Sequence, residues 1–224
     1  MNANSNGNFH AHPRDPRHQC LIYEGAPSKQ LPALAAMIQQ KLAEGYRCLY
    51  LNSRPMVAGI RSQLAAMGMD VANETANARL VLSSEYTVLA DGSFDVDLML
   101  RKLEDALDQA LEDGYKGLWA TGDMSWEFGS HKNFQRLMEY EHRLEELFCE
   151  RPELCGICQY HQDTLPREAP REALLTHQTI FINETLSRIN PYYVPSGTAN
   201  EQRATAAELD NVIIALHQLQ NMES

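Results

Sequence analysis

Residues 116–145, KGLWATGDMSWEFGSHKNFQRLMEYEHRLE, decide the fold. A short apolar run, Gly117 to Thr121, lies between Gly114 and Gly122. A run of that length between glycines predicts a buried strand rather than a helix. The chain then turns through Gly122-Asp123-Met124 and passes Trp126. After Gly129-Ser130 it takes up helical spacing at Phe134, Leu137, Met138, Tyr140/Glu141, Leu144 and Leu147/Phe148. Ser130 is the expected N-cap. Asp123, Trp126 and Glu127 are therefore expected where a strand ends and a helix begins. In open α/β sheets that rim is where ligands bind.

The same alternation extends in both directions. His18 to Tyr23 (HQCLIY) is a first strand, with His18, Cys20 and Ile22 on one face. Leu31, Leu34, Ala35, Ile38 and Leu42 repeat at helical spacing up to Gly45. Tyr46 to Leu51 reads as a strand, Pro55 to Gly68 as a helix, and Leu80 to Leu82 as a short strand. Ser93 to Glu112 is a long helix. Leu154 to Tyr160, Pro170 to His177 and Thr179 to Ile182 read as strand, helix and strand. Strands alternating with helices predict an α/β domain, a mainly parallel sheet covered by helices on both faces.

The domain is bounded by polar segments. Residues 1–17 are polar and rich in Asn and His, and are expected as a disordered tail. They lack the apolar centre of a signal peptide. Residues 18–192 form the globular unit. Residues 193–200 (YVPSGTAN), which overlap the pattern-breaking run PYYVPSGT at 191–198, are the expected linker. Residues 201–221 are an amphipathic C-terminal helix striped by Leu209, Val212, Ile213, Leu216 and Leu219. That stripe must either fold back or pair with a second surface, and the prolines of the linker favour self-association or partner docking.

Charge and cysteine content narrow the function. The 224 residues carry a formal net charge of −11. This argues against a sequence-independent grip on nucleic acid or an anionic membrane surface. Five cysteines with no secretory segment fit free thiols in the cytoplasm. No apolar run approaches the ~18 residues of a membrane span.

Several motifs invite a chemical reading. The loop Glu24-Gly25-Ala26-Pro27-Ser28-Lys29 follows the first strand, where a P-loop would lie. It lacks the G-x-x-x-x-G-K-[ST] pattern, so Lys29 reads as a solvated loop lysine. His18 and Cys20 can reach one shared ligand, but two groups are not a metal site. A third would have to come from elsewhere, for instance His177 or Asp123, and the reading adopted is no metal. Cys155 and Cys158 form a CxxC within a strand, which turns the two thiols to opposite faces. Asp123 reads equally as a turn cap or a pocket acid, and Trp126 as a core plug or a pocket wall. Glu85 and Tyr86 follow the third strand near the same rim. Glu141 and Glu145 share a helix face of the kind that is usually solvated. No Ser-His-Asp or Gly-x-Ser-x-Gly arrangement supports a nucleophilic hydrolase.

Taken in order, certain residues resemble a known family. They are His18, Cys20 and Tyr23; Cys48 to Leu51; Glu85-Tyr86; Gly92 to Asp95; and Gly117 through Trp126. Glu139-Tyr140-Glu141, Cys158-Gln159-Tyr160 and Thr176-His177 continue the series. Over about residues 18 to 190 the chain resembles the MEDS domain, a sensory domain of methanogens and methylotrophs. The resemblance implies a three-layer, RecA/KaiC-like fold without an intact phosphate-binding loop. It also implies a module of signal transduction and transcription regulation. Such modules are often joined to a helix-turn-helix or a histidine kinase. This chain carries neither an obvious kinase core nor a basic recognition helix, so an output partner in trans is implied, or none at all.

The resulting expectation is a cytoplasmic sensor that binds a small molecule and signals to a regulatory partner protein. The pocket is expected at the carboxyl rim of the sheet. Tyr23, Tyr86 and Trp126 would supply apolar surface, and His18, Cys20, Glu85, Asp123, Glu141 and His177 polar selectivity. No catalytic residue, metal or cofactor is assigned, and a homo-oligomer through the C-terminal helix is expected. One alternative is a degenerate nucleotide-binding ATPase using Asp123 for magnesium. The other is a pure interaction module acting through the C-terminal helix.

Overall fold

The computed structural model describes residues 17–84, 89–90, 93–125, 134–183, 185–195 and 204–222. The order is β1 (His18–Tyr23), a 3-10 turn (Pro27–Gln30), α1 (Leu31–Ala43), β2 (Arg47–Leu51), α2 (Arg54–Ala66), α3 (Val71–Ala76) and β3 (Leu80–Ser83). A small hairpin follows, β4 (Leu89–Ala90) with β5 (Ser93–Phe94), and then α4 (Val96–Glu112) and β6 (Leu118–Asp123). The chain ends with α5 (Phe134–Glu150), β7 (Leu154–His161), α6 (Glu168–Thr176), β8 (Thr179–Asn183), β9 (Leu186–Ile189) and α7 (Ala206–Met222).

Seven strands form one sheet in the order β3-β2-β6-β7-β1-β8-β9. All neighbours are parallel except β9, which runs antiparallel to β8 at the edge. A parallel neighbour requires a crossover, and the helices supply it on both faces.

Each central strand sends alternate residues to two separate cores. On one face Leu21, Tyr23, Tyr50, Trp119, Cys155 and Phe181 pack beneath α1, α2 and α3. On the other, Cys20, Ile22, Cys158, Tyr160 and Ile180 pack beneath α4, α5, α6 and α7. Cys155 and Cys158 thus face opposite layers, as their spacing predicts, and neither forms a disulfide.

Local chemistry sets the element ends. Asp95 accepts a hydrogen bond from the Leu98 N–H at 2.9 Å, so α4 starts at Val96 rather than at Ser93. Gly45 closes the first helix with φ +91, in the left-handed region that glycine adopts without strain. Gly156 lets β7 lie close against β6, because a Cβ there would stand 2.1 Å from the Ala120 carbonyl oxygen.

The C-terminal stripe folds back. Leu209, Ile213 and Leu216 are buried in the core of the α4–α7 face, with Val212 packed against it and Leu219 exposed. Arg171 of α6 holds Asp210 of α7 with two hydrogen bonds of 2.7 Å. Folding back and pairing were the two options for this helix, and its own domain occupies the face that pairing would use.

Candidate functional site

The residues expected in one rim pocket divide between two places. His18, Cys20, Glu141 and His177 lie on the α5/α6 face, with His18 at the start of β1. Tyr23 and Asp123 lie at the carboxyl ends of β1 and β6, and Tyr23 belongs to the core of the opposite face. Glu85, Tyr86 and Trp126, and Ser130, the expected N-cap, lie outside the described residues.

The first place is a buried polar nest. His18 Nδ1 donates to Glu145 Oε2 at 2.6 Å, across 127 residues of sequence. The Tyr193 hydroxyl and, at 3.7 Å, the Cys149 thiol donate to Glu145 Oε1. This leaves His18 Nε2 facing Cys158 Sγ at 3.5 Å. The His18 ring stacks on Phe148 at 4.2 Å and lies 3.9 Å from the ring of His177.

His177 follows the last turn of α6, and its Nδ1 donates to the Ala173 carbonyl at 2.9 Å. Its Nε2 therefore carries the lone pair, and it points to Glu141 Oε2 at 3.6 Å, beyond hydrogen-bonding distance. Among the described residues no hydrogen-bond partner reaches His177 Nε2 or either Glu141 oxygen, although both residues are 0 % exposed. The Tyr160 hydroxyl acts electrostatically on the Glu141 carboxyl, yet the two fall outside hydrogen-bonding geometry.

Burial dominates the electrostatics. It lowers His18 to about 3 and His177 well below the usual imidazole range. It raises the Glu141 carboxyl to about 8, with Tyr160 opposing and Glu145 adding to the rise. Burial, and then Glu141, push the Cys20 thiol far up. Both imidazoles are therefore neutral near pH 7.

Glu141 and Glu145 are not a solvated face. They interrupt the apolar stripe of α5, with Leu137, Leu144 and Phe148 as buried neighbours, and so point into the core. A carboxylate within a run of apolar i, i+3, i+4 positions was the signal available in the sequence. Beside the nest, a cavity of about 30 Å³ is lined by apolar groups including Met99, Leu103, Tyr140, Phe148 and Cys158.

The second place is the rim. The Tyr23 hydroxyl donates to Asp123 Oδ2 at 2.9 Å, and the Ser125 N–H donates to Asp123 Oδ1 at 2.8 Å. Both carboxylate oxygens thus serve a tyrosine and a turn. Tyr23 stacks on His161 at 4.9 Å, and His161 Nε2 donates to the Gly25 carbonyl at 2.9 Å. The Gly25 N–H donates to Asp163 Oδ2 at 2.8 Å. A carboxylate therefore takes the backbone donor that a phosphate would need. His161 and Asp163 have no motif signature and are brought here only by the pairing of β1 with β7.

Alongside lies a cleft of about 400 Å³, lined by Glu24, Lys29, Gln30, Asn183, His217 and Gln220 among others. The helix α7 forms one wall. His217 Nδ1 stands 3.3 Å from Glu24, its buried Nε2 has no hydrogen-bond partner among the described residues, and Gln220 donates to the Ile22 carbonyl at 3.0 Å.

These features can be set beside known proteins. The family model MEDS, described as "MEthanogen/methylotroph, DcmR Sensory domain", matches residues 17–178. Among curated proteins none matches. Many solved structures match, and three of them illustrate the shared fold. The flagellar accessory protein FlaH from Methanocaldococcus jannaschii is 15% identical with a TM-score of 0.53, over 83% of this chain and 84% of that one. An uncharacterized protein from Pyrococcus horikoshii, in complex with an unknown peptide, is 13% identical with a TM-score of 0.55, over 76% and 80%. A KaiC-like protein from Pyrococcus horikoshii OT3 is 15% identical with a TM-score of 0.51, over 74% and 72%. At such identities the likeness concerns the RecA/KaiC-like fold alone.

Proposed function

The chain belongs to the MEDS family of sensory domains, and from that premise we propose that it binds a small polar molecule in the cleft beside α7 and passes its state to a partner protein in trans. The observation that carries this reading is the cleft itself. Its volume of about 400 Å³ is that of a small-molecule site. Lys29, Glu24 and His217 offer charge of both signs within it.

Its wall supports the signalling half of the reading. A ligand touching His217 or Gln220 changes how α7 sits on β1, and α7 lies beyond the matched family region, after β8 and β9. A ligand shifts such a packing equilibrium only through a difference in affinity between two arrangements. The inner face of α7 is committed to its own core, so a partner would read its exposed side, where Ile214 stands in solvent. Association of two copies through the inner stripe would first have to detach it. Among the described residues no helix is long and apolar enough to cross a membrane. The free thiols fit a cytoplasmic setting.

A thermal-shift screen over metabolites, metals and nucleotides tests the reading. A true ligand raises the melting temperature with its concentration by mass action. The rise should be smaller in Lys29→Ala. If no small molecule stabilises the wild type more than Lys29→Ala, the cleft is not the sensor site.

A further inference from the structure

We propose that the buried nest is a metal site, in which His18 Nε2, His177 Nε2, Cys158 Sγ and a Glu141 carboxylate oxygen hold one zinc-type divalent ion. One ligand atom from each of these four residues lies within 4.8 Å of the other three, and all four residues are buried. In a tetrahedral zinc site, bonds of about 2.0–2.3 Å set ligand atoms roughly 3.3–3.8 Å apart. Two of the separations, Cys158 to His18 at 3.5 Å and His177 to Glu141 at 3.6 Å, already match.

Three further observations separate this nest from an ordinary polar core. Both histidines commit Nδ1 to an outer acceptor, His18 to Glu145 and His177 to the Ala173 carbonyl. That is the arrangement by which outer partners fix an imidazole and turn its Nε2 lone pair towards a metal. Second, His177 Nε2 and both Glu141 oxygens are fully buried without a hydrogen-bond partner among the described residues, and such orphaned groups are costly to maintain. Third, the donor set of two imidazoles, a thiolate and a carboxylate is that of zinc, not of magnesium or calcium.

Sequence spacing did not reveal the set because its members come from β1, α5, β7 and the end of α6. Cys20, the neighbour that spacing offered, instead turns its thiol to the Thr179 carbonyl at 3.8 Å. Binding would release the Cys158 thiol proton and any proton on Glu141. With four protein ligands the sphere is closed, so the ion ties α5 and α6 to the sheet rather than activating water. The site is separate from the cleft beside α7 and stands or falls independently of it.

The test uses the full chain produced in cobalt- or zinc-supplemented medium, so that a buried site is filled during folding. Metal analysis should find one equivalent per chain. The cobalt protein should show the visible bands of a tetrahedral site and a thiolate-to-cobalt charge-transfer band. Cys158→Ser should abolish the charge-transfer band, while Cys155→Ser, on the opposite face, and Cys149→Ser, at the surface, keep it. Glu145→Gln should weaken cobalt binding about 10- to 100-fold in competition with a chelator while leaving the tetrahedral spectrum in place. Glu141→Gln, a change of similar shape that spares the thiol, should weaken binding and retain the charge-transfer band. Substoichiometric metal in the wild type, or a charge-transfer band that survives Cys158→Ser, overturns the proposal.

Discussion

Glu141 sits at 0 % exposure between His177 and Tyr160, and its carboxyl titrates near 8 because burial disfavours the charge. In the unfolded chain it titrates near 4.5. Between those values the folded state holds the extra proton. Its contribution to stability is therefore present below 4.5 and lost as pH rises through 8. Glu145, also raised by burial, acts in the same direction. His18, lowered from 6.5 to about 3, acts in the opposite direction but only below 6.5, and His177 shares that sign. In chelator-treated protein the window from pH 6.5 to 8 thus isolates the carboxyls. Denaturant titrations should show a loss of about 1–2 kcal/mol across it, mostly abolished in Glu141→Gln. A flat profile would mean that the carboxyl is not held neutral. Tyr23 gives a second prediction on the other face. Tyr23→Phe removes the donor to Asp123 Oδ2 and should cost about 1.5–3 kcal/mol in the same titration. The division of these residues was partly legible. Alternation places His18 and Cys20 together, and the same rule, carried to Tyr23 five residues on, places it on the opposite face. The inward turn of Glu145 was legible from the apolar stripe it interrupts, but the partners Cys158, His161 and Asp163 were not, because only the strand order brings them near.

At the scale of elements, α7 shows how a sequence pattern leaves two outcomes open. Its stripe specifies burial but not which surface does the burying. Leu209, Ile213 and Leu216 are 3–5 % exposed against the α4–α7 core, and Arg171 grips Asp210. Three such side chains contribute roughly 1.5–3 kcal/mol each. Truncation after Thr198 should therefore lower stability by several kcal/mol, and light scattering should find the same oligomeric state for full chain and truncation. A dimer that becomes a stable monomer on truncation would instead show that the stripe pairs between chains. The longer elements were legible because each has a single hydrophobic period. β1 and the large helices stand within a few residues of expectation. The short ones were not. α3 has one buried residue, Val71, and begins at an Asp70 cap. β9 is mostly exposed and exists by pairing with β8. Neither carries enough apolar residues to set a period of its own.

For the whole molecule, the fold is RecA/KaiC-like while the anion chemistry at its β1–α1 loop runs the other way. A phosphate cradle needs converging free N–H groups and positive potential. Here the loop has one glycine, whose N–H is engaged by Asp163 at 2.8 Å, and Glu24 stands beside it. Lys29 lines the neighbouring cleft, but it faces that cleft together with Glu24. Asp123, the acid that a degenerate ATPase would use for magnesium, has one oxygen on Tyr23 and the other on the Ser125 N–H. The net charge of −11 adds a general repulsion towards polyphosphates. These effects act in the same direction, and none depends on the identity of the sensed ligand. Calorimetry with magnesium and ATP should therefore detect no binding in the low-micromolar range, and the melting temperature should not respond to nucleotide. A low-micromolar dissociation constant that weakens in Lys29→Ala would reinstate the degenerate ATPase. It would also require the Gly25–Asp163 contact to open, which Asp163→Asn should then favour by removing a competing negative charge.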